Sequence, residues 1–252
     1  MTKIAVVAGA SSGIGAATAG VLSRAGYSLV LGARRMDRLH SVAAPLGAKA
    51  IPLDVTDRDS VASFCVDVPK CDLLVNSAGC ALGLSEVADA DDAEWRWMYE
   101  VNVLGTMRMI RTLSPALKTA PAGHVILVGS IAGYQPYAGG AGYNAAKFAV
   151  RGVAGALRQE LLGTGVRLTE IAPGHVRTEF ALVRFGGDRS RADAVYAGMT
   201  PLAAEDVAEA IGWAASRPSH VNVDHLRIQS VDQATTTLVH REGSQESTGA
   251  WS

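Results

Sequence analysis

Short runs of apolar, β-branched residues alternate along the chain with longer stretches in which apolar positions recur at helical spacing. The first pattern marks strands buried on both faces, the second amphipathic helices. Strands are predicted at Ile4–Ala8, Ser28–Gly32, Ala48–Leu53, Asp72–Val75, His124–Val128, Val166–Ile171 and His225–Gln229. Helices are predicted at Gly13–Ala25, near Met36–Ala44, near Arg58–Val66, from about Asp92 to Lys118, at Tyr143–Leu162 and at Ala204–Ala215. Such alternation predicts a parallel sheet with helices on both faces, and right-handed crossovers make it doubly wound. The expected fold is one α/β domain over residues 1–242, a doubly wound parallel sheet (a Rossmann fold) of about seven strands. The stretch 178–201 breaks the alternation just after a strand and is expected to be an inserted substrate loop. Residues 243–252, rich in serine, glycine and polar side chains, are expected to form a flexible tail.

Composition narrows the classes of function. With 252 residues, 48% hydrophobic and 19% charged, the chain can bury a core without disulfides or metal. A formal net charge of −1 argues against nucleic acid or an anionic membrane as a partner held by bulk electrostatics. Cys65, Cys71 and Cys80 form no CxxC pair, which fits a reducing compartment, and these with six histidines do not supply closely spaced zinc ligands. The apolar N-terminal run is broken at once by glycines and polar residues, and no uninterrupted apolar stretch is long enough to span a bilayer. A cytoplasmic protein with a small-molecule partner, no membrane and no metal is expected.

The first strand runs into Gly9-Ala10-Ser11-Ser12-Gly13-Ile14-Gly15 and then into a helix. A glycine-rich turn there lets backbone approach a pyrophosphate, whose charge rests on the helix N-terminus. The spacing is GxxxGxG, and tight turns use glycine anyway; the strand before and the helix after favour phosphate. At the end of the second strand stand Arg34 and Arg35, where an acidic residue would receive ribose hydroxyls. Two guanidinium groups suit a 2′-phosphate and hence NADP; the alternative is a solvated pair at a helix start. Asp54, with Val55 beside it, ends the third strand and either meets the adenine or caps a turn. After the fourth strand, Asn76-Ser77-Ala78-Gly79 leaves room for a sugar.

In Tyr143-Asn144-Ala145-Ala146-Lys147 the phenol and the ammonium share one helix face. An ammonium nearby favours phenolate and brings an acid–base group toward neutral operation. Alone, this spacing reads as a surface pair. Ser130, at the end of the fifth strand where ligands of parallel sheets gather, places a hydroxyl for the same substrate oxygen.

Together these motifs resemble the short-chain dehydrogenase/reductase family over nearly the whole chain. The glycine turn, Asn76-Ser77-Ala78-Gly79, Asn102, Ser130, Tyr143, Lys147 and Pro173-Gly174 occur in the family's order. The resemblance implies that Tyr143 is the general acid–base and that Ser130 orients the substrate oxygen. It implies that Lys147 lowers the Tyr143 pKa and holds the nicotinamide ribose, and that Asn102 positions a water linking Lys147 to solvent. Pro173-Gly174 would shape the nicotinamide pocket, with Val176 and Thr178 at the carboxamide. A homotetramer built on the helices Asp92–Lys118 and Tyr143–Leu162 is implied too. Ala8 and Ser77 replace the family's usual threonine and second asparagine, a pair that braces adjacent strands.

The C-terminal third resembles the NADP-dependent 3-hydroxy acid (serine and allo-threonine) dehydrogenases. The resemblance rests on Pro136–Gly140, on Thr178-Glu179-Phe180, on Val183 to Asp188 and on Ser219–Val223. Arg184 either clamps a substrate carboxylate or pairs with a subunit neighbour or with Asp188. His175 reads as a loop residue and His220 as a structural or interface residue; Trp95 and Trp97 read as packing, within the chain or in a subunit interface. Three functions stay open: oxidation or reduction of a 3-hydroxy acid or related small alcohol, reduction of aldehydes or ketones in a secondary-metabolite pathway, and a redox sensor that binds cofactor without turnover. An intact Asn102, Ser130, Tyr143 and Lys147 argues against the last.

Overall fold

The computed structural model describes residues 2–68 and 70–242, and the expected tail at 243–252 lies outside them. Among the described residues, strands β1 (Ile4–Ala8), β2 (Ser28–Ala33), β3 (Lys49–Pro52), β4 (Leu73–Asn76), β5 (His124–Val128), β6 (Arg167–Pro173) and β7 (His225–Ile228) form one parallel sheet of order β3-β2-β1-β4-β5-β6-β7. The order reverses between β1 and β4, and a crevice opens at the carboxyl ends there.

Successive side chains of a strand point to opposite faces. Val6 and Ala8 of β1 therefore pack with Phe64, Met109, Leu113 and Val150, while Ala5 and Val7 pack with Leu22, Leu39, Val207 and Ile211. The first face is covered by α3 (Arg58–Val66), α5 (Gly105–Thr119) and α6 (Ala141–Glu160). The second is covered by α1 (Gly13–Arg24), α2 (Met36–Ala43) and α9 (Ala204–Ala215). Burial on both sides is why the strands read as continuous apolar runs instead of alternating ones.

Two predicted segments differ in detail. The long helix from Asp92 is α4 (Asp92–Tyr99), started by the Asp91 side chain accepting from Ala93 N, then a π-helical turn at Glu100–Leu104, then α5. The stretch 178–201 contains two short helices, α7 (Phe180–Arg184) and α8 (Arg189–Ala194), the latter capped by Asp188. Their Ala181, Ala192 and Tyr196 make a small core of their own. No helix of the described residues is long and apolar enough to cross a membrane.

Candidate active site

The crevice is a cavity of about 710 Å³ that runs from the ends of β2 and β3 to the segment after β6. At one end, Gly9 adopts φ +83°, and a Cβ on it would lie 2.7 Å from Ala78 N. The turn after β1 must therefore be glycine for the β4 turn to pass beside it. Gly13 (φ +54°) opens α1, whose N-cap Ser12 makes no side-chain cap, and Ser11, Ser12, Gly13 and Ile14 all line the cavity. A bare helix N-terminus under a glycine turn fits a pyrophosphate. Gly15 sits behind it, where a Cβ would meet Gly9 O at 2.3 Å. Ser77 N donates to Ala8 O at 3.0 Å, so backbone ties the two strand ends where Ala8 and Ser77 lack the family's usual side chains.

Arg34 and Arg35 line the same end. The Arg34 guanidinium lies 5.8 Å above the Trp97 ring, and Arg35 donates to Ser12 Oγ at 2.6 Å. Asp54 Oδ1 accepts from both Thr56 N and Thr56 Oγ1, so it makes the turn and, with Val55, lines the cavity as well. Asn76 is buried behind the wall, its Nδ2 donating to Thr106 Oγ1; Ser77, Ala78 and Gly79 of that turn line the cavity.

At the other end Ser130, Tyr143 and Lys147 converge with Pro173, Gly174, Val176 and Thr178. α6 brings the phenol and the ammonium onto one face, with Lys147 Nζ 5.8 Å from the Tyr143 ring centroid. The Ser130 hydroxyl acts to lower the pKa of the phenol, and its Oγ accepts from Ala132 N at 3.1 Å. Both α6 side chains are buried, and Lys147 Nζ donates to Val128 O at 3.0 Å. Burial lowers the Lys147 pKa to about 8 from 10.5, against the pull of Cys80 and Glu170.

The structure corrects one expectation: the Tyr143 pKa is raised rather than lowered. Burial dominates, and the groups that oppose it are the Ser130 hydroxyl and Arg184, while Lys147 is turned to the Val128 carbonyl. A second difference concerns Asn102. It lies buried in the π turn, with Nδ2 donating to Cys80 O and Met98 O. Its side chain fixes the Gly79–Cys80 turn beside Lys147 and does not line the cavity; a Cβ on Gly79 would lie 2.9 Å from Asn102 Oδ1 and 3.5 Å from Lys147 Nζ.

Arg184 projects from α7 into this end. Its Nε donates to Gly83 O at 2.8 Å and its Nη1 to Tyr137 Oη at 2.6 Å, while Nη2 is buried without a partner. Asp188 caps α8 instead of pairing with it. Tyr137, Phe180 and His175, none of them expected in the site, all line the cavity, the Phe180 ring tilted by 59° to that of Tyr143 with centroids 5.4 Å apart. For Tyr137 and Phe180 the signal was present in the motifs quoted above; His175 carried only its place after Pro173-Gly174. Trp95 packs with Met98 and Tyr143, as expected of a packing residue.

A glycine turn at one end of the crevice and a phenol and an ammonium at the other suit a nicotinamide-dependent oxidoreductase acting on CH–OH donors. The short chain dehydrogenase model matches residues 3–185, and the chain belongs to that family. An uncharacterized oxidoreductase of Mycobacterium tuberculosis is 55% identical over 235 residues, 93% of this chain and 94% of the relative. Sulfoacetaldehyde reductase 2 of Chromohalobacter salexigens is 40% identical over 243 residues, 93% of this chain and 96% of the relative. A solved structure described as the closed form of serine dehydrogenase complexed with NADP+ superposes with TM-score 0.90 at 37% identity, covering 95% of this chain and all of that one.

Proposed function

We propose that this chain is an NADP-dependent oxidoreductase whose substrate is a small alcohol or carbonyl compound carrying an anionic group, a 3-hydroxy acid or its oxidised counterpart. The observation that carries the substrate reading is the buried, unpartnered Nη2 of Arg184 on the wall that also holds Tyr143 and Ser130. A buried guanidinium donor without a partner is costly, and a carboxylate or sulfonate satisfies it with a charge-assisted bond. Serine, the substrate named for one relative, is a 3-hydroxy acid, and sulfoacetaldehyde, named for another, is an anionic aldehyde. Both place an anion a short distance from the reacting carbon.

NADP is supported by Arg34 and Arg35 at the end of β2 and by the NADP+ held in the solved relative. When bound, the nicotinamide exchanges a hydride with the substrate's carbinol or carbonyl carbon. Pro173, Gly174, Val176 and Thr178 wall that end of the cleft and would shield the ring from water. Ser130 orients the substrate oxygen, and Tyr143 Oη gives that oxygen a proton in reduction or takes it in oxidation. A phenol kept protonated by burial is suited to donation. Lys147 holds positive charge beside it, and Asn102 keeps the Gly79–Cys80 turn against Lys147. Arg184 anchors the anionic end.

The test is steady-state turnover with NADPH and NADP+ against 3-hydroxy acids, anionic aldehydes and uncharged aldehydes, for wild type and Arg184→Met. The reading expects anionic substrates to lose roughly 10- to 100-fold in kcat/KM on losing a charge-assisted bond, with uncharged ones little changed. Uncharged, bulky carbonyls turned over best by wild type would favour the secondary-metabolite reductase instead.

A further inference from the structure

Glu179 stands between the end of β6 and α7, and its carboxylate crosses the mouth of the crevice to the other half of the sheet. Arg35 Nη1 donates to Oε2 at 2.9 Å, and Arg38 Nη1 donates to Oε1 at 2.5 Å and Oε2 at 2.6 Å. The second Arg35 nitrogen donates to Ser12 Oγ at 2.6 Å and lies 3.4 Å from Ser11 Oγ. One of the two guanidinium groups offered to a 2′-phosphate thus already serves a carboxylate and the hydroxyls of the glycine turn. Glu179 lines the same cavity as Arg35 and is needed by no step of the hydride chemistry.

We propose that Glu179 is a cofactor-discriminating residue: a built-in anion that competes with the cofactor's 2′-phosphate for Arg35 and so limits the preference for NADP over NAD. The inference rests on the NADP reading above. Hydrogen bonds from Arg38 and Arg35 hold the Glu179 carboxyl below its ordinary range, so it is charged at neutral pH. A dianionic phosphate entering the Arg35 fork must either break this ion pair or sit beside the carboxylate against like-charge repulsion, and both oppose its binding. A ribose 2′-hydroxyl meets no such opposition, and a carboxylate is the group that accepts its hydrogen bond where NAD is preferred. The Glu179 side chain is 37% exposed and those of Arg35 and Arg38 44% and 51%. Exposed pairs are individually weak, so the competition lowers phosphate affinity without preventing binding.

Wild type and Glu179→Gln are titrated calorimetrically with NADPH, NADH and adenosine 2′,5′-bisphosphate, at low and high salt. Glutamine keeps the shape and removes the charge. NADPH and the bisphosphate are expected to bind the variant about fivefold more tightly, the scale of an exposed ion pair, with NADH unchanged or weaker and the gain shrinking in high salt. An unchanged or weakened NADPH affinity overturns the proposal, as does an equal gain for NADH. Glu179→Ser provides the same comparison should the glutamine variant fold poorly. Wild type that fails to favour NADPH over NADH counts instead against the NADP reading, and wild type that binds neither removes both.

Discussion

Tyr143 has two basic side chains near its ring, with Lys147 Nζ and the Arg184 guanidinium carbon each 5.8 Å from the ring centroid, yet its pKa rises because the phenol is buried. The proton therefore stays on oxygen until a substrate oxygen needs it. Tyr143→Phe removes that proton and little volume, so turnover should fall by roughly 10³-fold, within the range for a lost general acid. NADPH affinity by fluorescence titration should stay near wild type; a variant retaining most of its rate would dismiss the role of Tyr143. Lys147 sets the pH response. Its pKa is lowered to about 8, so the group is cationic below that pH and neutral above it. Reduction that relies on the ammonium should decline as pH rises through about 8, read from kcat/KM against pH; a level profile across that region would contradict it. Arg34→Asp places a carboxylate at the end of β2, and NADPH affinity should drop by about tenfold or more, as expected for losing a charge-assisted phosphate bond, with some gain for NADH. These residues were legible in the sequence because their partners are near in the chain or lie at strand ends. The Arg35–Glu179 pair was not: 144 residues separate its members, and no local pattern links them.

At the scale of elements, the strands and most helices were readable to within a residue or two at each end, because burial on both faces leaves unbroken apolar runs. The π turn at Glu100–Leu104 was not readable. One extra residue in a helical turn leaves composition unchanged and only rotates the apolar face, so the stretch from Asp92 reads as one helix. Helices α7 and α8 were missed because five and six residues are too short to show a period; tertiary packing around Ala181, Ala192 and Tyr196 makes them. The β1–α1 turn gives the clearest prediction for an element. Gly9→Ala would impose φ +83° on a residue with a Cβ and press it against Ala78 N. A loss of roughly 1–3 kcal/mol of stability is expected from the backbone conformation, together with weaker cofactor binding as the β4 turn is displaced. Thermal melting with and without NADPH measures both, and an alanine variant as stable and as tight-binding as wild type would show that the close approach is dispensable.

Taken whole, the molecule is a sheet whose β1–β4 reversal leaves a crevice walled by elements far apart in the chain: the β1 turn, Arg34 and Arg35 after β2, Asp54 after β3, Ser130 after β5 and Thr178 after β6. A ligand lying along that crevice touches both halves of the sheet, so its binding energy should appear as stability of the entire fold and not of one loop. Ligand that binds only the folded state, at a free concentration about 100 times its Kd, contributes about 2.7 kcal/mol. For a chain of this size each kilocalorie shifts Tm by roughly 2–4 °C, so NADPH should raise Tm by about 5–10 °C as one cooperative transition. NADH at the same concentration should raise it less, since it offers Arg34 and Arg35 no 2′-phosphate. Equal shifts from the two cofactors would mean that the arginines at the end of β2 do not read the phosphate. A shift confined to part of the transition would mean that the two halves of the sheet do not fold as a unit around the crevice.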